Sequence, residues 1–131
     1  MRGKLYFFVC AFFFFSNPVS AQDIAMYYWG AEDCGPCKAW ERQYESDVST
    51  MFKEKGYKYV RVYKKSIRHK YKHTDTTDPI AKKIIDTGQS PQFTPAFTYA
   101  FGMERLFDII GTREWKKHHS NYVAVLESMK K

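Results

Sequence analysis

The sequence predicts an α/β fold: a central mixed four-stranded sheet flanked by helices, in the order βαβαββα. Three observations carry that prediction. Short apolar or alternating runs recur along the chain, stripes of helical period separate the first three of them, and a brief turn near Gly102 separates the last two.

Residues 24–29 form an apolar and aromatic run that stops at Gly30, the pattern of a buried strand. Ala31, Glu32 and Asp33 make a loop, after which Cys37, Trp40, Tyr44, Val48 and Met51 recur at helical spacing, with Lys38, Glu41, Arg42 and Glu45 between them. An amphipathic helix therefore opens at Cys34-Gly35-Pro36-Cys37, where Pro36 falls in a first turn that does not use its missing N–H. Gly56 ends this region. Residues 57–63 alternate, with Val60 and Val62 on one face and Tyr59, Arg61 and Tyr63 on the other. A basic connection over 64–73 and a polar one over 74–77 lead to Asp78-Pro79, a helix start with Ile80, Ala81, Ile84 and Ile85 as the buried side and Gly88 as the stop.

Ser90-Pro91 and Phe93-Thr94-Pro95 precede a strand over 96–101, and a second follows over 106–110; their closeness predicts an antiparallel hairpin. Gly111 closes it and Thr112 is the expected N-cap of a last helix with the stripe Trp115, His119, Tyr122, Leu126 and Met129. The strand-helix-strand start predicts parallel pairing with a right-handed crossover, and the hairpin adds antiparallel strands at the edge.

The first 21 residues read as a secretory signal: Arg2 and Lys4 without an acid, an apolar run over 5–15, then Pro18 and the small residues Val19 and Ala21. That run is short of the ~20 residues needed to span a bilayer as a helix. Cleavage after Ala21 leaves a single small domain over 22–131 and removes Cys10, so that Cys34 and Cys37 remain. Export places this pair where disulfides persist. A pair three positions apart closes a small loop and restrains little of the unfolded chain, which makes a purely structural staple the poorer explanation.

Charge is uneven. The chain carries +7, and losing Arg2 and Lys4 brings it to +5. Residues 53–72 alone hold nine Lys or Arg against Glu54. The plain reading is a solvated strand edge and loop whose cations protect the sheet from pairing; the functional one is docking to an acidic partner or an anionic membrane surface. Tyr57, Tyr59, Tyr63 and Tyr71 interleave with these cations as in single-strand nucleic-acid binders, but export argues against nucleic acid.

A sulfur at a helix N-terminus is stabilised as thiolate, and Cys34 sits at that point. Cys37, one turn further in, is placed to attack a mixed disulfide formed on Cys34. Cys34 is thus the expected attacking, more exposed sulfur and Cys37 the resolving, more buried one. The CxxC spacing also serves zinc and copper sites, but four ligands would require two of His69, His73, His118 and His119. His69 and His73 read rather as members of the basic face and His119 as a partly packed helix residue. No metal and no cofactor beyond the Cys34–Cys37 disulfide is expected.

Cys34-Gly35-Pro36-Cys37-Lys38 after a buried strand, Thr94-Pro95 before a later strand and Gly111 ending the next resemble the thioredoxin superfamily over nearly all of residues 22–131. The resemblance implies a thioredoxin-like fold, a cis Pro95 against the cysteine pair, and pairing of the Thr94 backbone with bound substrate. Trp40, Phe93-Thr94-Pro95 and Trp115 look like the small periplasmic thioredoxins associated with bacterial sulfur oxidation. The chain departs from the family in three ways. No counterpart of the leading strand and helix of full-length thioredoxins is expected ahead of the strand at 24–29, Asp33 stands where they usually have Trp, and Tyr28 stands where they have a buried Asp that assists the resolving thiol. Glu32 and Asp33 are the nearby candidates for modulating the thiol pKa.

The secretory segment and the resemblance together imply an exported, periplasmic thiol–disulfide oxidoreductase. Gly35-Pro36 is similar to the reducing members, so the expected role is reduction of a client protein's disulfides, with recharging by a membrane electron donor. An oxidase or isomerase of the same fold, or a copper- or zinc-binding module using the same cysteines, are the alternatives.

Overall fold

The computed structural model describes residues 23–130. The predicted secretory segment and Cys10 lie outside them. The elements are β1 (Ile24–Ala31), α1 (Gly35–Trp40), a π-helical turn (Glu41–Glu45), α2 (Ser46–Glu54), β2 (Lys58–Lys64), a 3₁₀ turn (His73–Asp75), α3 (Pro79–Asp86), β3 (Ala96–Phe101), β4 (Glu104–Ile110) and α4 (Thr112–Met129). The four strands form one mixed sheet in the order β2-β1-β3-β4, with β1 parallel to β2 and both β1·β3 and β3·β4 antiparallel. This is the predicted βαβαββα architecture.

All eight residues of β1 are buried. A strand packed against helices on both faces has no solvent side, so it reads as a continuous apolar run rather than an alternation. Its odd and even positions feed two cores. Ile24, Met26 and Tyr28 pack with Trp40, Phe52, Phe97, Trp115 and Leu126 under α1, α2 and α4. Ala25, Tyr27 and Trp29 pack with Val62, Ile80 and Ile84 under α3. On β2 the alternation sorts as expected, Val60 and Val62 going to the second core and Tyr59 and Tyr63 to the first.

Asp78 caps α3, accepting from the N–H groups of Ile80 and Ala81 at 3.0 Å, and pairs with Lys58. A side-chain acceptor at this position satisfies helix N–H groups that have no partner of their own.

Three local expectations are corrected. The cysteine-motif helix is interrupted at Glu41–Glu45 by a π turn. Thr112 is not the N-cap of α4: Gly111 holds that place with φ +92, a left-handed conformation that glycine adopts without penalty, and Thr112 is already helical. Met129 leaves the buried stripe, being 44% exposed at the last position of the helix, while Val123 joins it.

Candidate functional site

Cys34 and Cys37 are joined by a disulfide at the start of α1. Cys34 has extended backbone angles, φ −98° and ψ 106°, and its sulfur accepts the Cys37 backbone N–H at 3.1 Å. Its carbonyl accepts the Lys38 N–H at 3.1 Å. An extended residue whose side chain takes an otherwise orphaned helix N–H is an N-cap, and here the capping atom is sulfur. Cys34 retains 4% exposure and Cys37 none, while Gly35 and Pro36 between them are exposed.

Thr94 and Pro95 come to the pair from the loop before β3. The Thr94 hydroxyl donates toward Cys34 Sγ at 3.4 Å, the Thr94-Pro95 peptide is cis, and the Pro95 carbonyl accepts the Gly111 N–H at 2.8 Å. The structure thus brings Thr94 and Pro95 to Cys34 across 60 positions of sequence. Below them lies an aromatic floor. The Trp40 ring is 4.5 Å from Tyr28, 4.9 Å from Phe97 and 5.4 Å from Trp115 between centroids.

The two candidate acids do different things. Glu32 is exposed, and its backbone N–H continues the sheet by donating to the Lys64 carbonyl at 3.0 Å. The Asp33 carboxylate is turned to the segment after β2, where it accepts Ser66 Oγ and the Ile67 N–H, each at 2.8 Å. Those hydrogen bonds hold its pKa below the ordinary carboxylate value.

Behind the pair, Tyr28 opens a polar network. Its hydroxyl donates to Glu41 Oε2 at 2.6 Å; the Cys37 carbonyl lies 3.4 Å from the same hydroxyl, too far to compete for its single proton. Tyr63 donates to the same Oε2 at 2.6 Å, and Arg61 bridges Glu41 at 3.1 Å and Glu45 at 3.2 Å. Tyr59 completes the set on Glu45 at 2.9 Å. Burial raises the Glu41 pKa, but the two phenols and Arg61 outweigh it and hold the carboxyl below its usual range.

Sequence reasoning missed this network although its parts were visible. Glu41 and Glu45 stand at i, i+4 on the helix, and Tyr59, Arg61 and Tyr63 share one strand face; a helix packed on that face brings two acids onto one arginine.

The basic segment is also partly corrected. β2 is an edge strand as the protective reading requires, but Lys64 is buried, with its ammonium 4.3 Å from the Tyr71 ring centroid. Among the described residues, no group of three or more His, Cys, Asp or Glu side chains converges as a metal-ligand set. A surface hollow of about 730 Å³ between α2 and β2 shares no residue with the cysteine site.

No family model and no curated protein sequence matches the chain. Solved structures do. A thioredoxin from Trypanosoma brucei brucei superposes with a TM-score of 0.51 at 16% identity, covering 81% of this chain and 78% of its own. The oxidised thioredoxin of Plasmodium falciparum gives 0.51 at 17% identity, covering 79% and 84%. These likenesses establish the thioredoxin fold.

Proposed function

We propose that the chain is an exported thiol–disulfide oxidoreductase that reduces disulfides of client proteins. The observation that carries the reading is the set of groups on Cys34 Sγ: a backbone N–H at 3.1 Å and the Thr94 hydroxyl at 3.4 Å, on the less buried of the two cysteines. Hydrogen bonds to a sulfur favour its anionic form, which is both nucleophile and leaving group in exchange.

In the reduced protein the Cys34 thiolate attacks one sulfur of the client disulfide. A mixed disulfide forms and one client thiolate leaves, taking up a proton. Cys37 then loses its proton and attacks Cys34 Sγ, releasing the second client sulfur as a thiolate that is protonated in turn. The client gains two electrons and two protons, and the protein becomes the Cys34–Cys37 disulfide. A dithiol donor on the membrane side restores the starting state.

Glu32 and Asp33 are proposed to tune the thiol through their charge, and Thr94 and Pro95 to receive the client backbone. Export to the periplasm is supported by the basic-apolar-small order of residues 1–21. Trp40, Trp115 and Phe93-Thr94-Pro95 support kinship with the small periplasmic thioredoxins associated with sulfur oxidation.

The test is a Cys37→Ser variant, in which the mixed disulfide on Cys34 has no resolving sulfur. Clients should accumulate as adducts that dithiothreitol releases, and the wild-type couple should equilibrate with glutathione on the reducing side. Absence of adducts while wild type reduces small disulfides overturns the sulfur roles. A strongly oxidising equilibrium overturns the reductase direction.

A further inference from the structure

The segment after β2 is the most cationic of the chain: residues 64–72 hold Lys64, Lys65, Arg68, Lys70 and Lys72 and no Asp or Glu. It is tied to the loop that carries Cys34. Asp33, the residue before Cys34, accepts Ser66 Oγ and the Ile67 N–H. The buried Tyr71 donates its hydroxyl to the Gly30 carbonyl at 2.9 Å. Lys64 folds inward to the carbonyl of His69 and so closes the first part of the segment on itself. These ties fix the backbone that carries the cations before any partner arrives, which lowers the ordering cost of binding.

The facing wall is the loop that runs into Thr94. Between the two lies a cleft of about 280 Å³, with Lys64, Arg68, His69 and Lys70 on one side and Pro91 and Gln92 on the other, and no carboxylate among its lining residues. Two carboxylates accept from the segment's backbone, Asp33 from the Ile67 N–H and Asp75 from the Lys72 N–H, against its five Lys and Arg side chains. Two large apolar side chains are open to water at this place, Ile67 at the cleft, 54% exposed, and Phe93 beside Gln92 and Thr94, 66% exposed. A concave cationic lining concentrates anionic groups, and adjacent apolar side chains suit a polypeptide more than a free ion or a flat bilayer.

We propose that this cleft docks an acidic segment of the polypeptide whose disulfide Cys34 exchanges. The inference rests on the thiol–disulfide reading above and names its substrate class, peptide or protein disulfides flanked by Asp or Glu.

The test uses three peptides with one internal disulfide each, identical except for flanking Glu, Gln or Lys, and hydroxyethyl disulfide as an uncharged small substrate. Wild type should exchange the Glu peptide about tenfold faster than the Gln peptide at low ionic strength. That advantage should vanish near 1 M salt, where screening acts over about 3 Å. Arg68→Glu with Lys70→Glu, both exposed, should abolish the preference and leave the hydroxyethyl disulfide rate unchanged. Equal rates for the peptides, or a preference that survives the charge reversal, overturns the proposal.

Peptides with Ser in place of Cys separate docking from chemistry. Calorimetric titration should show the Glu version binding wild type and losing that binding in the double variant. Equal binding of the Glu and Gln versions overturns the cleft. If no disulfide of any kind is exchanged, the oxidoreductase reading falls and the serine peptides decide the cleft alone. Charge-dependent binding to phosphatidylglycerol vesicles without discrimination among the peptides also overturns it, in favour of a membrane surface.

Discussion

Tyr28 Oη and Glu41 Oε2 lie 2.6 Å apart, joining the central strand to the helix that carries the cysteines. Glu41 is the shared acceptor for Tyr28 and Tyr63 and a partner of Arg61, so its removal orphans several groups while the loss of one phenol orphans none of the others. Glu41→Ala is expected to destabilise the fold by about 3 kcal/mol and Tyr28→Phe by about 1 kcal/mol. Urea unfolding of the two variants checks the ratio; equal losses would mean that the carboxylate is not the centre of the network. Because the folded Glu41 pKa is depressed, its contribution is complete above its ordinary value of 4.5 and is lost as pH falls through the lower folded value. Glu41→Gln should remove that part of the acid slope.

Gly30 makes room for the same two tyrosines. A Cβ built there would stand 2.6 Å from Tyr28 Oη and 2.7 Å from Tyr63 Cε1, closer than packed atoms tolerate. Gly30→Ala should push both phenols off Glu41 and cost about 1–3 kcal/mol, as overpacking does. The check is a double-mutant cycle with Tyr63→Phe, in which the two losses should fall short of additive.

His119 predicts a second acid-sensitive term. Its Nδ1 lies 2.6 Å from the Tyr99 hydroxyl, and burial lowers its pKa from 6.5 to about 4. Between those values the unfolded chain binds a proton that the folded chain refuses, so stability falls by about 1.4 kcal/mol per pH unit as pH drops, and levels off below the folded pKa. His119→Phe should flatten that interval. Urea midpoints at about pH 7 and pH 5 measure it, and an unchanged slope would place the titration elsewhere.

Asp33 joins the loop tether to the charge beside Cys34, and two substitutions separate them. Asp33→Asn keeps an oxygen acceptor for the Ile67 N–H and removes the charge, so the segment should stay in place while the Cys34 thiol pKa falls and the protein becomes a weaker reductant. Asp33→Ala should free the segment, seen as faster hydrogen exchange at the Ile67 amide. In wild type the depressed Asp33 pKa keeps the tether intact above the ordinary value of 3.8, with loss as pH falls through the folded value. A Cys34 pKa that is unchanged in the Asn variant would confine Asp33 to the tether.

The strands and helices were legible because their signals are local. An unbroken apolar run such as 24–29 has a place in the middle of a two-faced sheet, and the alternation on 57–63 admits one assignment of faces. The cysteine motif was legible for the same reason, since four consecutive residues at a helix start bring both sulfurs into bonding reach.

What only the tertiary structure decided are relations between residues far apart in the chain. Asp33 reads as a loop acid beside a cysteine, and it becomes a tether because β2, parallel to β1, ends against it and delivers Ser66 and Ile67. Lys64 reads as one cation among many, and it is buried because the following segment folds back to place the Tyr71 ring and the His69 carbonyl on its ammonium. Glu41 reads as a solvated helix position until the π turn and the aromatic face of β2 bring Tyr28, Tyr63 and Arg61 onto one carboxylate. Periodicity records which side of an element is buried, whereas a hydrogen-bond partner depends on register and packing between elements, which no local pattern encodes.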